Sequence, residues 1–332
     1  MTTRVGIIGL GYIGTAHMRV YKRIKDCDLV GVCDADLKRR RLAETYHTKF
    51  FTDYRDLLKK KLDAVSICTP TASHANIALS VLECDSHVFV EKPFANKKDE
   101  AKKVQKKAKK SGKLLAVGYV ERFNPSIGKL RETVDFSDVY STLSLRFGPG
   151  SPRMTDIGVL LDLGSHEIDI LNHLIGTLPE VLYSQVSHRS SSAFEDYAYV
   201  SLRYGHVHSH IEASWLPQYK LRLLSLYGNE RFYVLNYAQQ NLKSLRPPPK
   251  VQITNGNWQD ALWVSRNIEE DIPTVPGEPL KFELQCFLES IKRGEIIEPL
   301  CEGREAIDVL EVAEKALAVS KPLALSGQKS IR

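Results

Sequence analysis

Hydrophobic and polar positions follow one repeating pattern in residues 1–120. Short apolar runs alternate with segments in which apolar residues recur every three or four positions, as on one face of a helix. Strands that alternate with helices indicate right-handed βαβ units and a parallel sheet. The predicted strands are residues 4–8, 29–33, 63–68, 87–90 and 113–119, and the predicted helices are residues 15–25, 36–46, a segment from Ser73, and 97–113.

The rhythm changes after residue 120. Six segments alternate side-chain character at every second position and end at Gly, Pro or polar turns, which indicates a half-buried antiparallel sheet. A helix at residues 157–175 lies among them, and two helices close the chain, one ending near Gly294 and one at residues 304–320. Residues 241–280 carry no clear pattern. The six segments are residues 139–148, 180–188, 197–205, 206–215, 220–228 and 231–237.

Composition indicates an ordinary globular protein. The residues are 43% hydrophobic and 26% charged. The length of 332 residues suggests two domains. The chain has no apolar run of about 18 residues and begins with a strand pattern rather than a secretion signal. Its six cysteines are scattered without CxxC spacing, so we expect reduced thiols and a cytoplasmic protein with no membrane partner.

The net charge of +6 has a local source, because residues 97–113 contain nine lysines. Ala101, Val104 and Ala108 recur at helical spacing and would pack inward, leaving the lysines in water. No aromatic residues interleave to stack on bases, so we favour a solvated helix over a nucleic-acid interface.

The segment GLGYIG predicts a dinucleotide site. It follows the first strand, opens the first helix, and is followed by Asp34 at the end of the second strand. Gly9 permits a tight turn, Gly11 lets the backbone approach a pyrophosphate, and Gly14 allows close packing of helix and strand. We expect Tyr12 and Ile13, which lie between these glycines, to border the cofactor as well.

Asp34 favours NAD. Its carboxylate can accept hydrogen bonds from the ribose hydroxyls and would repel a 2′-phosphate. The cations at residues 38–41 leave NADP open, because one of them could reach such a phosphate.

Two further segments follow predicted strands and therefore reach the same sheet edge. In CTPTASH, Thr69, Pro70 and His74 are expected to border the cofactor, although His74 could instead be exposed in the first turn of a helix. In EKP, Glu91 adjoins the cofactor and Lys92 can carry a proton, with Pro93 restricting its backbone. The alternative is a surface lysine.

Four side chains recur on one face of the helix at residues 157–175: Asp162, His166, Asp169 and His173. A carboxylate one turn from an imidazole can set its tautomer and basicity. A solvated face is the alternative. The spacing lacks an HExxH pattern, and the histidines of HVHSH lack flanking carboxylates, so we predict no metal site.

GxGxxG at the N-terminus, EKP at Lys92 and DxGxH at residues 162–166 together resemble the Gfo/Idh/MocA oxidoreductases over essentially the whole chain. The resemblance implies an α/β N-terminal Rossmann domain plus an α+β C-terminal domain with a large open, mostly antiparallel sheet. We place the domains at residues 1–120 and 121–332, with the last helix able to pack on the first domain. Lys92, Asp162 and His166 match the catalytic residues of the family.

The family implies NAD(P)-dependent oxidation or reduction, usually at a sugar or polyol carbon. VGYVERFNP at residues 117–125 and the helix around Asp162 are similar to the branch that oxidises UDP-N-acetylglucosamine at C3, although the chain lacks the glycine pair that many relatives carry before DxGxH. We expect Arg122 and Asn124 near the substrate with Asp162 and His166. An ion pair with a local acid is the alternative for Arg122.

Other functions remain open at this point. A free sugar or inositol-like polyol is an alternative substrate. A reductase of conjugated or imine bonds would not need the Asp–His pair, and a non-enzymatic NAD-binding regulatory protein would not need Lys92. Both faces of the second sheet are expected to carry apolar side chains, which predicts a homodimer or homotetramer. Leu143, Leu145 and Phe147 belong to one face, and the other carries Leu221, Leu223 and Leu226 among others.

Overall fold

A computed structural model describes residues 2–150, 156–189, 193–246 and 268–322. The three prolines at residues 247–249, and most of the segment without a sequence pattern, lie outside the described residues. No helix among the described residues is both long and apolar enough to span a membrane.

The chain forms two compact units, and each unit gathers separate parts of the sequence. The first contains residues 1–123, 152–169 and 278–314, and the second contains residues 124–151, 170–277 and 315–332. The chain therefore passes between the units several times, whereas the sequence pattern suggested one boundary near residue 120. Most of the last helix falls in the first unit.

The first unit contains a seven-stranded sheet in the order β15-β6-β5-β4-β1-β2-β3. Its strands are β1 (Thr3–Ile8), β2 (Cys27–Cys33), β3 (Phe50–Phe51), β4 (Ala64–Ile67), β5 (His87–Glu91), β6 (Leu115–Gly118) and β15 (Cys301–Glu302). Neighbouring strands are parallel except at the edge pair β15–β6. All four residues of β4 and all four of β6 are buried, as expected for strands covered on both faces.

Helices cover this sheet. They are α1 (Tyr12–Tyr21), α2 (Arg40–Thr45), α3 (Tyr54–Leu58), α4 (His74–Glu83), α5 (Lys98–Ser111), α8 (Pro279–Arg293) and α9 (Gly303–Ala318), the last of which ends in the second unit. The core joins Phe89 of β5 to Leu284, Phe287 and Leu288 of α8. In α5, Ala101, Val104 and Ala108 are buried and most of the lysines are exposed, so the helix packs as its spacing predicted.

The second unit contains a nine-stranded sheet in the order β14-β13-β12-β11-β7-β10-β9-β8-β16. Its strands are β7 (Val139–Phe147), β8 (Glu180–Ser187), β9 (Tyr197–Tyr204), β10 (Val207–Ser214), β11 (Leu221–Gly228), β12 (Phe232–Asn236), β13 (Asn241–Arg246), β14 (Ile268–Ile272) and β16 (Lys321–Pro322). Among the described strands of this second sheet, only the pairs β10–β7 and β16–β8 are parallel. The predicted mostly antiparallel sheet is therefore confirmed.

One face of this sheet is packed and the other is half-exposed. Leu143, Leu145 and Phe147 of β7 lie on the half-exposed face, and β11 places Leu221 and Leu223 opposite Phe147 and Leu145. Leu226 is fully buried on the other face, because side chains alternate along a strand. The expectation that Leu221, Leu223 and Leu226 lie on the face opposite Leu143 was therefore wrong for Leu221 and Leu223. Leu226 alone of the three lies on that opposite face.

Two helices remain. Helix α6 (Pro125–Thr133) belongs to the second unit, and α7 (Ser165–Ile175) begins in the first and ends in the second. A π-helical turn, Leu160–Gly164, directly precedes α7. Of the helix predicted at residues 157–175, residues 159–175 are helical and residues 157–158 are not, and one turn is wider than an α-helix.

Candidate active site

The turn between β1 and α1 requires its glycines for different reasons. Gly9 has φ +95°, and a Cβ there would lie 2.6 Å from the Cys68 backbone. A Cβ on Gly14 would lie 1.9 Å from the carbonyl oxygen of Gly9. At Gly11 a Cβ would meet no atom within 4 Å, so the protein itself leaves open space there. This open backbone fits the close approach of a dinucleotide.

Asp34 is held at this turn by two backbone N–H groups. Leu10 N donates to Oδ2 at 2.7 Å, and Asp36 N donates to Oδ1 at 2.9 Å. A cleft of about 580 Å³ opens here. Each carboxylate oxygen keeps a second lone pair for a ribose hydroxyl. The cleft is lined by Gly9, Gly11, Asp34, Asp36, Arg39, Asp53, Arg55, Cys68, Thr69 and Pro70, among others.

The cations around the cleft differ from those expected. Of residues 38–41 only Arg39 lines it, and Arg55 joins it from α3. Arg39 lies 3.9 Å from Asp36, and Arg55 lies 3.5 Å from Asp53. Asp34 therefore faces a cleft in which both cations already have acidic neighbours. Tyr12, at the start of α1, is 86% exposed.

His74 is buried, so the expectation of an exposed residue was wrong, and it is not among the residues that line the cleft. It is 1% exposed, and its Nδ1 and Nε2 lie 2.9 and 2.8 Å from the carbonyl oxygens of Pro93 and Thr69. Burial lowers the pKa of His74, and the two carbonyl groups partly offset this. The imidazole therefore joins the loop after β4 to the loop after β5.

Lys92 and Asp162 meet directly. Lys92 Nζ donates to the carboxylate Oδ1 of Asp162 at 2.9 Å and to the backbone oxygen of the same residue at 2.6 Å. The two side chains are 17% and 16% exposed. An ammonium has three N–H donors, so one remains for a ligand. The alternative of a surface lysine was thus wrong, because Lys92 is partly buried and oriented by Asp162.

The π-helical turn carries Asp162, and α7 presents His166 four residues later. π-helical turns occur often at functional sites. His166 is 7% exposed, and its ring stands edge-on to Tyr119 with 6.1 Å between centroids. Burial raises the pKa of Tyr119 well above its usual value.

Asp169 was expected on a polar helix face with Asp162 and His166, but it is buried and forms an ion pair with Arg122. The guanidinium is 4% exposed and donates to Asp169 from Nε and Nη2, at distances between 2.7 and 3.1 Å, while Nη1 donates to Glu305 at 3.1 Å. Burial raises the pKa of Asp169, and Arg122 opposes this. All three nitrogens of Arg122 have protein partners, so the geometry favours the ion pair over substrate binding.

Asn124 is also committed to the protein. It is 2% exposed, it caps α6 by accepting from Ser126 N, and its Nδ2 donates to the backbone of Tyr237. These contacts give Asn124 a local structural role, and its binding to a substrate stays a prediction.

Sequence reasoning missed a buried acid, Glu283, and the buried contact of Glu91 with a histidine. Glu91 Oε1 lies 2.8 Å from Nε2 of His17 on α1. Glu283 of α8 is completely buried nearby, and burial together with Glu91 raises its pKa. The helical spacing of apolar residues in α8 gave no sign of Glu283, since acids normally lie in water. No group of three His, Cys, Asp or Glu among the described residues could hold a metal ion.

Comparison with known proteins accords with this geometry. Residues 3–119 match the model of the oxidoreductase family with an NAD-binding Rossmann fold, and residues 127–234 match the Gfo/Idh/MocA C-terminal domain. Fold and matches together define a two-domain NAD-binding oxidoreductase. The chain belongs to the Gfo/Idh/MocA family.

The curated relatives include several dehydrogenases. A UDP-N-acetylglucosamine 3-dehydrogenase of Acidithiobacillus ferrooxidans is 30% identical over 241 residues, which are 72% of this chain and 75% of that protein. A myo-inositol 2-dehydrogenase of Thermotoga maritima is 29% identical over 196 residues, 55% and 58% of the two chains. The uncharacterized oxidoreductase YrbE of Bacillus subtilis is 30% identical over 190 residues, 54% and 56%. The chain thus spans between 56% and 75% of these relatives' length.

Solved structures show the same fold. The UDP-N-acetylglucosamine 3-dehydrogenase GnnA of Acidithiobacillus ferrooxidans superposes with a TM-score of 0.83 at 24% identity and covers 96% of this chain and 98% of its own. A levoglucosan dehydrogenase in complex with NADH and levoglucosan gives 0.81 at 18% identity, covering 96% and 97%.

Proposed function

We propose that this protein is an NAD-dependent dehydrogenase of a CH–OH group on a sugar, and that the sugar is carried by a nucleotide, as in UDP-N-acetylglucosamine oxidised at C3. The observation that carries the proposal is the contact of Lys92 with Asp162. It places an oriented ammonium at the carboxyl end of β5, where ligands bind in parallel sheets. The relatives that act on UDP-N-acetylglucosamine and on inositol support the substrate class.

The residues present fit a dinucleotide. The open backbone at Gly11 would receive the pyrophosphate, and Asp34 would bind the ribose. Thr69 and Pro70 would border the cofactor from the loop after β4. The nicotinamide, when bound, supplies the hydride acceptor.

The protein residues handle the proton of the hydroxyl group. Two N–H groups of Lys92 are engaged by Asp162, and the third would donate to the substrate oxygen and stabilise negative charge that develops there. His166 then serves as the base, because the ordinary pKa of an imidazole suits proton transfer near neutral pH.

A turnover screen tests this proposal. The protein is mixed with NAD and, one at a time, with UDP-N-acetylglucosamine, other UDP-sugars, free sugars and myo-inositol, and the absorbance of reduced nicotinamide is followed. We expect reduction with a sugar nucleotide and none with Lys92→Ala. Turnover only with a free sugar or inositol would favour the alternative substrate. NAD binding without turnover of any CH–OH compound would favour a regulatory NAD-binding protein.

The choice of NAD over NADP is tested separately by dissociation constants. We expect NADH to bind more tightly than NADPH, because the carboxylate of Asp34 repels a 2′-phosphate. Asp34→Ser removes that charge and should shift the preference toward NADPH. Tighter NADPH binding by the wild type would show that Arg39 and Arg55 dominate instead.

A further inference from the structure

A buried carboxylate lies one residue before the proposed catalytic lysine. Glu91 ends β5 and is 7% exposed. It is accommodated by a glycine on the neighbouring strand, since a Cβ on Gly118 would come within 2.9–3.0 Å of three carboxyl atoms of Glu91. Among the described residues, its side chain lies in hydrogen-bond contact with His17 Nε2 at 2.8 Å. The local sequence is thus shaped around this carboxyl group.

The hydrogen bonds indicate where the negative charge resides. Nδ1 of the fully buried His17 has no hydrogen-bond partner among the described residues. A protonated ring would leave a charged N–H unsatisfied there, whereas a neutral ring donates from Nε2 to Glu91 and leaves only a lone pair. The contacts fit an Nε2–H of His17 that donates to the carboxylate of Glu91.

The neighbouring acid is disfavoured from adding a second charge. Both carboxyl oxygens of Glu283 are buried without partners in the described part of the chain, and burial, followed by the charge of Glu91, raises its pKa. No lysine or arginine of the described residues forms an ion pair with Glu91. Glu91 is thus a buried carboxyl group without a cation in salt-bridge contact among the described residues.

The field of this carboxylate reaches the cofactor cleft. Cys68 lines the cleft, and the charge of Glu91 contributes to raising the pKa of its thiol after burial itself. The same charge acts on His74, whose ring joins the loops after β4 and β5. Other acids lie at the ribose end, where Asp36 and Asp53 line the cleft beside Asp34.

We propose that the buried carboxylate of Glu91 makes the site bind oxidised NAD, whose nicotinamide ring is cationic, in preference to reduced NADH, whose ring is neutral. This inference rests on the proposed dinucleotide site. The two cofactor forms differ in charge only at the ring, so phosphate and ribose contacts cancel in the ratio of their dissociation constants. A carboxylate at the carboxyl end of β5 acts on that ratio through Coulomb attraction across a poorly solvated interior.

The test measures dissociation constants of NAD and NADH, without substrate, by calorimetry and by fluorescence of the bound reduced cofactor. Glu91→Gln keeps the shape and removes the charge. We expect it to weaken NAD binding at least about fivefold and to change NADH binding less than about twofold. Asp36→Asn is the matched control, because it removes a charge at the ribose end and asparagine still caps a helix. It should shift both constants equally.

A second neutral variant guards against misfolding. Glu91→Met has similar length and suits an apolar interior, where replacing a buried charge is often neutral for stability. It should move the ratio in the same direction. Equal effects of both Glu91 variants on NAD and NADH would overturn the inference and leave the proposed function standing. A wild-type protein that binds neither form would remove both.

Discussion

At the scale of single residues, the burial of Glu283 makes the free energy of unfolding depend on pH. Burial and the charge of Glu91 raise its pKa well above the ordinary value of 4.5. The folded protein therefore retains a proton that the unfolded chain releases. Its contribution to the free energy of unfolding is full below the unfolded pKa and falls as pH rises toward the folded pKa, by about 1.4 kcal/mol per pH unit.

Glu283→Gln keeps the shape but cannot ionise. We expect the wild type to lose stability relative to this variant as pH rises above the ordinary glutamate pKa of 4.5, measured by urea unfolding at several pH values. Glu289→Gln on the same helix is the control, because the side chain of Glu289 is 46% exposed. Its stability difference from the wild type should not vary with pH. A constant difference for Glu283→Gln would show that Glu283 is ionised in the folded protein.

The local sequence predicted which residues form the cofactor turn better than it predicted the partners of the other candidate site residues. Gly9, Gly14 and Asp34 could be assigned because the chemistry of the turn depends on neighbours within the same motif. The partners of Arg122 could not be predicted, since Asp169 and Glu305 come from distant parts of the chain. The burial of His74 could not be predicted for the same reason, because one of the two carbonyl groups that contact its ring follows another strand.

At the scale of elements, two glycines of the turn between β1 and α1 are expected to have different roles, one in stability and one in cofactor binding. Gly14→Ala would place a Cβ 1.9 Å from the Gly9 carbonyl oxygen, so we expect it to destabilise the protein by about 1–3 kcal/mol. Gly11→Ala meets no protein atom within 4 Å. It should unfold within about 0.5 kcal/mol of the wild type but bind NADH at least about tenfold more weakly, because the backbone there must approach the pyrophosphate.

Thermal unfolding and NADH titration of both variants provide the check. Normal NADH binding by Gly11→Ala would place the pyrophosphate elsewhere, and a fully stable Gly14→Ala would show that the turn can relax.

Elements with a full repeat of their pattern could be predicted, and short or distorted ones could not. The parallel strands and their helices follow from apolar runs and helical spacing. Strands β3 and β15 have two residues each, too few for any periodicity. The π-helical turn at Leu160–Gly164 has no compositional signal either, since a single wide turn barely changes the spacing of apolar residues.

At the scale of the whole molecule, the half-exposed face of the second sheet predicts association. Leu143, Leu145 and Phe147 lie on it beside Leu221 and Leu223. Contiguous apolar surface of this kind commonly forms an interface between identical chains. We expect a dimer or tetramer by light scattering at micromolar concentration.

Leu145→Lys would place a charge in that face and should shift the protein toward monomers. Tyr140→Lys lies on the same strand but on the opposite face, and Tyr140 is already 49% exposed, so it should leave the assembly unchanged. A wild-type monomer would refute the prediction.

The central claim is that Lys92 and His166 share the handling of a proton during NAD-dependent oxidation. The most direct measurement is turnover of Lys92→Ala and His166→Ala with the sugar that the wild type oxidises, together with the NADH dissociation constant of each variant. We expect each variant to lose at least about a hundredfold in kcat, as general acid–base groups contribute, with NADH affinity nearly unchanged in His166→Ala. Lys106→Ala, an exposed lysine of α5, should retain full turnover. Near-normal kcat in either active-site variant would contradict the claim, and a large loss of NADH affinity in His166→Ala would place that histidine in the cofactor site instead.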